Sequence, residues 1–465
     1  MRELWRGGVD SRIRFAITLL IWGLVFIAGL VGAFRPIDDA LRDLRFAAET
    51  RTPSGKVVFV DIDSRSLNGI GVWPWPRSTH ARLLDALLDA GAEDVSFDID
   101  FSTASTEADD RAFEEALERA GGYVRLAALR QLAEGNEANR FNLPIPRFAQ
   151  YADVVTVNVP AGTGGLVRSY PFGITLGDMA YPSLAASIAG VAGPADAGFA
   201  IDYSIDPAQI DRIPVIDVLS GAIDPVRVAG KHVVVGASAL ELRDTFILPR
   251  HGVISGAMVQ ILAAETLLQG RLLSPVGWLP IAVLVGVMGL SAILLGGRLP
   301  LPLAILGGVL LAVVAEGAAL LLQMRLGMLL DTAAIHVAQA AFLINALVGE
   351  VMLRRRAHAE ASHERDATQG ILDRVIADNF DGVVVVDGLG RIVAASRLAE
   401  EILGAGLVGR QAGDVLPPDI NRAIRVLLAA ASAPSHPEPA ELVLPGKDAE
   451  PRIIEYAITR SEVAA

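Results

Sequence analysis

The chain opens with an apolar run, Ile13–Phe34, and three more crowd together much later, at Trp278–Gly297, Leu299–Met324 and Leu326–Met352. Each approaches the ~20 apolar residues that cross a hydrocarbon core about 30 Å thick. Between the first run and the second lies a long stretch of mixed polarity, Arg35–Pro275, and a shorter one follows Met352. The pattern predicts four transmembrane helices with one water-exposed domain on each side of the membrane. The default task of such a chain is to carry information across. Arg2, Arg6, Arg12 and Arg14 precede the first run, and Arg354, Arg355 and Arg356 follow the last. Arg and Lys at span ends favour the cytoplasmic side, so both termini are expected inside a bacterial inner membrane and residues 35–275 outside. The turn around Arg298 then falls inside, and the tight Gln323–Gly327 turn, with Arg325, falls outside. A cleavable signal peptide ending near Val31-Gly32-Ala33 is the competing reading of the first run, but that run exceeds the usual apolar segment of about 7–15 residues.

Within 35–275 the periodicity alternates between strand and helix. Lys56–Ile62 is a near-continuous apolar, β-branched run, as in a strand buried on both faces. Thr79–Leu88 has leucines at helical spacing and stops at Gly91. Asp94–Ile99, Asp153–Val159 and His232–Val235 read as strands. Asp109–Arg119, Tyr181–Ile188 (with Pro182 in its first turn) and Ser255–Gln269 read as helices. Such alternation predicts an α/β domain with a mostly parallel sheet.

Composition narrows the chemistry. Hydrophobic residues make up 52 % and charged residues 20 %, so much of the chain still meets water. The net charge of −13, with no basic stripe, argues against a nucleic-acid partner. The absence of cysteine removes disulfides, thiolate metal sites and cysteine nucleophiles.

Several motifs come in a characteristic order: Val-Asp-Ile-Asp at 60–63, Trp-Pro-Trp-Pro-Arg at 73–77, Ala-Gly-Ala at 90–92, Phe-Asp-Ile-Asp-Phe at 97–101 and Val-Val-Val-Gly-Ala at 233–237. Asp244, Pro249 and Gly252-Val253 complete the set. In this order the segment resembles the CHASE type-two family, an extracellular sensing domain of cyclases and histidine kinases. The family's layout of one leading span, the sensor and three spans fits as well. Ile254-Ser255-Gly256-Ala257 departs from the family pattern, which carries a histidine before the alanine.

Ligands of open α/β sheets favour the carboxyl ends of strands, where Asp61 and Asp63, then Asp98 and Asp100, are expected. Four carboxylates there offer oxygen ligands for Mg²⁺ or Ca²⁺, or they cap helices and fix loops. The further sensory candidates are Trp73 and Trp75 as a rigid aromatic wall or a packed loop, Arg77 as a partner of one carboxylate, and Asp244. Asp61-x-Asp63 after a strand also resembles the opening of haloacid-dehalogenase-type phosphatases, which would make Asp61 a nucleophile. No lysine and acidic pair follows in order. Gly162-Thr163-Gly164-Gly165 is only a turn, since no helix start or Lys-Ser/Thr follows it.

The spans carry Glu316, Asp331, His336, Gln339 and Asn345. Ionisable groups inside a membrane are functional suspects, with helix–helix hydrogen bonding as the plainer reading. Residues 353–377 form a polar helix suited to relay signals, in which Ser362-His363-Glu364 does not continue as a phosphoacceptor box. From 366 to 465 the chain resembles a PAS domain, on Asp381–Asp387, Gly390–Val393, Leu407–Arg410 and Val415-Leu416-Pro417. Ser396 stands where that family often has Asn, and the final strand is missing. His436, in a Pro-flanked loop, is poorly placed to hold haem. No cofactor is expected. No cyclase, phosphodiesterase or kinase motif is present, so the effector, a histidine kinase or a cyclic-di-GMP enzyme, is expected elsewhere. The expected partners are a second copy of the chain, membrane lipid, an external small molecule, ion or envelope component, and a cytoplasmic effector. Two competing classes are a membrane scaffold for an envelope partner and an external metal-dependent hydrolase.

Overall fold

The computed structural model describes residues 9–131, 140–160, 162–176, 178–295, 300–377, 381–429, 439–445 and 451–459. They fall into two units, Met1–Glu350 and Val351–Ala465.

In the first unit the apolar runs become strands of one sheet: β1 (Val57–Ile62), β2 (Asp94–Phe97), β3 (Val124–Gln131), β4 (Arg140–Asn142), β5 (Asp153–Thr156), β10 (Asp211–Pro214) and β11 (His232–Ala237). The hairpin strands between them are β6 (Ser169–Pro171), β7 (Gly173–Leu176), β8 (Met179–Pro182) and β9 (Gly198–Ala200). The sheet order is β10-β1-β11-β2-β3, with β4 and β5 both on β3, and every pairing is parallel except β3–β4. All six residues of β1 are buried, as a strand covered on both faces requires. One face is covered by helices α3 (Ser64–Ile70), α4 (Arg77–Asp89), α5 (Glu107–Ala120), α6 (Pro146–Ala149) and α8 (Val215–Leu219). The other is covered by α7 (Leu184–Ala189) and α9 (Gly256–Leu268), the latter buried along almost its whole length. Tyr181–Ile188 is therefore not one helix. Met179–Pro182 pairs with β7, and α7 starts only after Ser183, whose hydroxyl accepts the Ala186 N–H.

The long apolar runs become α1 (Val9–Leu30), α10 (Trp278–Leu295), α11 (Leu301–Leu321) and the first part of α12 (Ala333–Ala377). Their exposed surfaces are rich in large apolar side chains, among them Leu24, Val283, Leu306 and Val313. Water would penalise such a surface and lipid would not. By length and composition Leu301–Leu326 and Ala333–Ala359 can each cross a membrane. Ala16–Leu30 with α2 (Arg35–Ala48), bent by 67°, is a third candidate, and the described part of α10 is shorter. The expected start of the last span at Leu326 is displaced to Ala333. Gly327, at φ +65°, ends the preceding helix, and Met328–Leu329 (β15) pairs with Ser274–Pro275 (β14) beneath the sheet domain. Strands β12 (Thr245–Leu248) and β13 (Gly252–Ser255) form a hairpin ahead of α9. Leu329, 3 % exposed, belongs to the same hydrophobic core as Phe59, Val234 and Leu262. Arg298 and His436 lie outside the described residues.

In the second unit β16 (Val384–Val386) pairs with β17 (Ile392–Ala395), and β18 (Ala440–Leu444) with β19 (Arg452–Tyr456). Helices α13 (Arg397–Leu403), α14 (Ala412–Val415) and α15 (Pro418–Ala429) accompany them. Among the described residues the two strand pairs do not join into the single sheet of the expected PAS domain. Ser396 caps α13 through the Ala399 N–H.

Candidate functional site

The carboxyl ends of β1 and β2 do not adjoin, because β11 runs between them. Asp61 is 2 % exposed. Its Oδ2 accepts from Ser238 Oγ at 2.7 Å and lies 3.6 Å from Arg212 Nη1. Burial raises its pKa, with Ser238 and Arg212 opposing. Asp63 turns away to cap α3, accepting the Ser66 N–H at 2.7 Å. Asp100 accepts from Ser102 N at 2.8 Å and Asn142 Nδ2 at 3.0 Å. Asp98 faces Asp244 instead, and burial, then the Asp244 charge, push its carboxyl up to about 8. Burial raises Asp244 as well. The Asp244 carboxylate lies over Gly256, where a Cβ would stand 2.3 Å from Oδ2, so a larger residue at the start of α9 would have to displace it. The four carboxylates thus separate rather than converge on an ion, because a local hydroxyl, N–H or guanidinium claims three of them and Asp244 faces the fourth. Among the described residues no three His, Asp or Glu side chains are grouped as metal ligands. The burial of Asp61 does not suit a nucleophile.

The Trp-Pro-Trp-Pro-Arg segment packs inward. Trp75, 3 % exposed, donates its indole N–H to Gly71 O at 3.0 Å and meets Trp73 edge-on at 5.2 Å. Both rings, with Phe97, Phe101 and Phe113, surround His80, a buried residue that sequence reasoning missed. Burial, and then the charge of Arg77, hold the His80 imidazole down to about 3, so it is neutral. Arg77 does not ion-pair with a strand-end carboxylate. It stacks over Phe101 at 4.5 Å and donates to Thr103 O at 3.2 Å.

A second polar cluster lies elsewhere, where the sheet domain meets the apolar helices. The amphipathic helix α2 was not anticipated. It follows α1 after a turn in which Gly32 takes φ +71°. Arg45 of α2 is 5 % exposed. It donates to Glu316 of α11 through Nε (3.0 Å) and Nη2 (3.4 Å), to Leu330 O (2.8 Å) and to Thr332 Oγ1 (2.6 Å). Glu316 also accepts from Thr332 Oγ1 at 2.5 Å and lies 2.7 Å from His336 Nε2 of α12. His336 Nδ1 stands 3.1 Å from Gln339 Oε1. Asp38 caps α12 by accepting the Ala333 N–H at 2.8 Å, and Arg42 binds Asp331 at 2.9 Å. Asp331 stands before α12, not inside a span. Asn345 meets Thr18 of α1 at 3.5 Å. Two arginines of the sheet domain hold the α11–α12 connection: Arg51 donates to Met324 O (2.8 Å), and Arg271 to Met324 O (2.8 Å) and Gln323 O (2.9 Å). Arg271 is itself fixed by the fully buried Asp202 at 2.9 Å. Helix-to-helix hydrogen bonding therefore absorbs Glu316 and His336.

An α/β domain with a mostly parallel sheet, set between apolar helices and bonded to them through a polar junction, is the arrangement of a domain tied to a membrane. The profile of one family, the CHASE2 domain, matches residues 17–297, from within α1 to just past α10. The chain belongs to this family, an extracellular sensor module typical of sensory receptors. No curated protein and no solved structure matches it.

Proposed function

We propose that the chain is the input part of a multi-pass sensory receptor of the bacterial inner membrane, with four spans and both termini cytoplasmic. The sheet domain faces outward and takes up a signal. Its state passes through the polar junction to α12 and so toward a PAS-like relay, a second copy of the chain and an effector of the kinase or cyclic-di-GMP class. The observation that carries this reading is that one residue of the sensor's stalk, Arg45, bonds α11 through Glu316 and the approach to α12 through Leu330 and Thr332. A ligand acts on such a bundle only through different affinities for two arrangements of it. The test is hydrogen exchange on the full chain in lipid nanodiscs, screened against divalent cations and small metabolites. A ligand that protects the sheet domain should also change exchange at 323–336. Protection of the sheet with 323–336 unmoved would refute transmission by this route.

A further inference from the structure

A cavity of about 220 Å³ opens between α1, the start of α2, α10 and the start of α12. Val25, Ile281 and Val285 are among the apolar side chains that line it. Its lining also carries both signs of charge, Arg35 with Asp38 and Asp331. Arg35 is exposed, lies back over Gly32 (a Cβ there would stand 2.8 Å from Nε) and has no ion-pair partner among the described residues. Asp38 uses only Oδ1, for the Ala333 N–H, and Asp331 only Oδ1, for Arg42. A carboxylate accepts up to about four hydrogen bonds, so each has an oxygen free for another donor. Trp278, 58 % exposed, lines the same cavity, and aromatic residues are enriched at membrane–water boundaries.

We infer that this cavity seats the headgroup of a membrane phospholipid carrying a primary ammonium and a phosphodiester. Arg35 takes the phosphate as a charge-assisted pair. The free oxygens of Asp38 and Asp331 take N–H donors from the ammonium, which a trimethylated headgroup lacks. The volume is below the roughly 300–1,000 Å³ of sites that enclose a drug-sized ligand. The site therefore holds the headgroup end, and the acyl chains stay in lipid against the exposed Phe26 and Leu30 at its edge. A purely anionic headgroup satisfies Arg35 but meets two carboxylates, and a purely cationic one leaves Arg35 unpaired.

The test is native mass spectrometry of the full chain released from nanodiscs of equimolar phosphatidylethanolamine, phosphatidylcholine and phosphatidylglycerol. Arg35→Gln and Asp331→Asn are run alongside, with thermal unfolding of each variant. Hydrogen bonds between charged groups predict retention of phosphatidylethanolamine at least about tenfold over the other two, and its loss in Arg35→Gln. Equal retention of the three lipids by the wild type overturns the proposal, whatever the variants do. So does undiminished phosphatidylethanolamine retention in a folded Arg35→Gln protein.

Discussion

Replacing Arg45 with methionine keeps much of its apolar stem and removes its charge and all its donors. The guanidinium makes four donations, two of them to Glu316. Breaking a buried ion pair by removing one partner costs about 3–5 kcal/mol. Here Glu316 retains Thr332 and His336, and its side chain is 32 % exposed. These place Arg45→Met at the low end of that range, about 3 kcal/mol. Glu316→Gln keeps an acceptor but loses the charge, and should cost less. Since the two side chains touch, the costs should not add: a double-mutant cycle should give a coupling of about 1–3 kcal/mol. The assay is the opening free energy of the Ala333 and His336 amides, read by hydrogen exchange in wild type, both single variants and the double variant. Additivity within about 0.5 kcal/mol would refute the claim that Arg45 and Glu316 join α2 to the helices as one unit.

The sheet domain should show opposed pH dependences. Folded Asp98 keeps its proton to about pH 8, whereas the unfolded carboxyl loses it near 3.8. The native state then binds more protons across that window, and stability falls as pH rises, by at most about 1.4 kcal/mol per pH unit. His80 acts in reverse: unfolded it takes a proton below 6.5, but folded only near 3, so stability rises with pH between those values. The two slopes offset each other from about pH 4 to 6.5, and from 6.5 to 8 Asp98 acts alone. Thermal melts should therefore show wild type losing stability from pH 6.5 to 8 and Asp98→Asn staying flatter. An equal decline in both would refute the assignment. Gly236→Ala places a Cβ 2.5 Å from that of Ala257 and should destabilise by about 1–3 kcal/mol in denaturant titration. Arg271→Met leaves fully buried Asp202 without its cation and should cost about 3–5 kcal/mol. Protease cleavage near Gln323 should rise with it.

Strands β1, β2, β5 and β11 were legible, most plainly Val57–Ile62, because a strand covered on both faces must be apolar almost throughout, whereas β3, β4 and β10 were not read from the sequence. The Asp61, Asp63, Asp98 and Asp100 pattern was legible as residues but not as a site. No local signal says that β11, well over a hundred residues downstream of both, inserts between β1 and β2. Asp63 and Asp100 then answer to their nearest N–H groups, a competition that spacing does not reveal. Helix α2 was not anticipated, because nothing local to its charges names their partners. Those charges meet Glu316, Asp331 and the Ala333 N–H. His80 left a faint trace, a histidine among leucines three residues past an aromatic, proline-rich segment. Glu316 and His336 drew attention as ionisable residues in apolar runs, but Arg45, 271 positions before Glu316, did not.

Leu329 changes what counts as the sensor. It is sealed in the core of the sheet domain, although it lies beyond the matched residues and after two further apolar helices. During synthesis the ribosome must make α10 and α11 before the last piece of that core exists. Until then Arg45, Arg51 and Arg271 wait without the carbonyls and carboxylate they are built to hold. The full core therefore closes only after α10 and α11 are made, and a fragment cut at residue 276 lacks both Leu329 and the partners of Arg45 and Arg51.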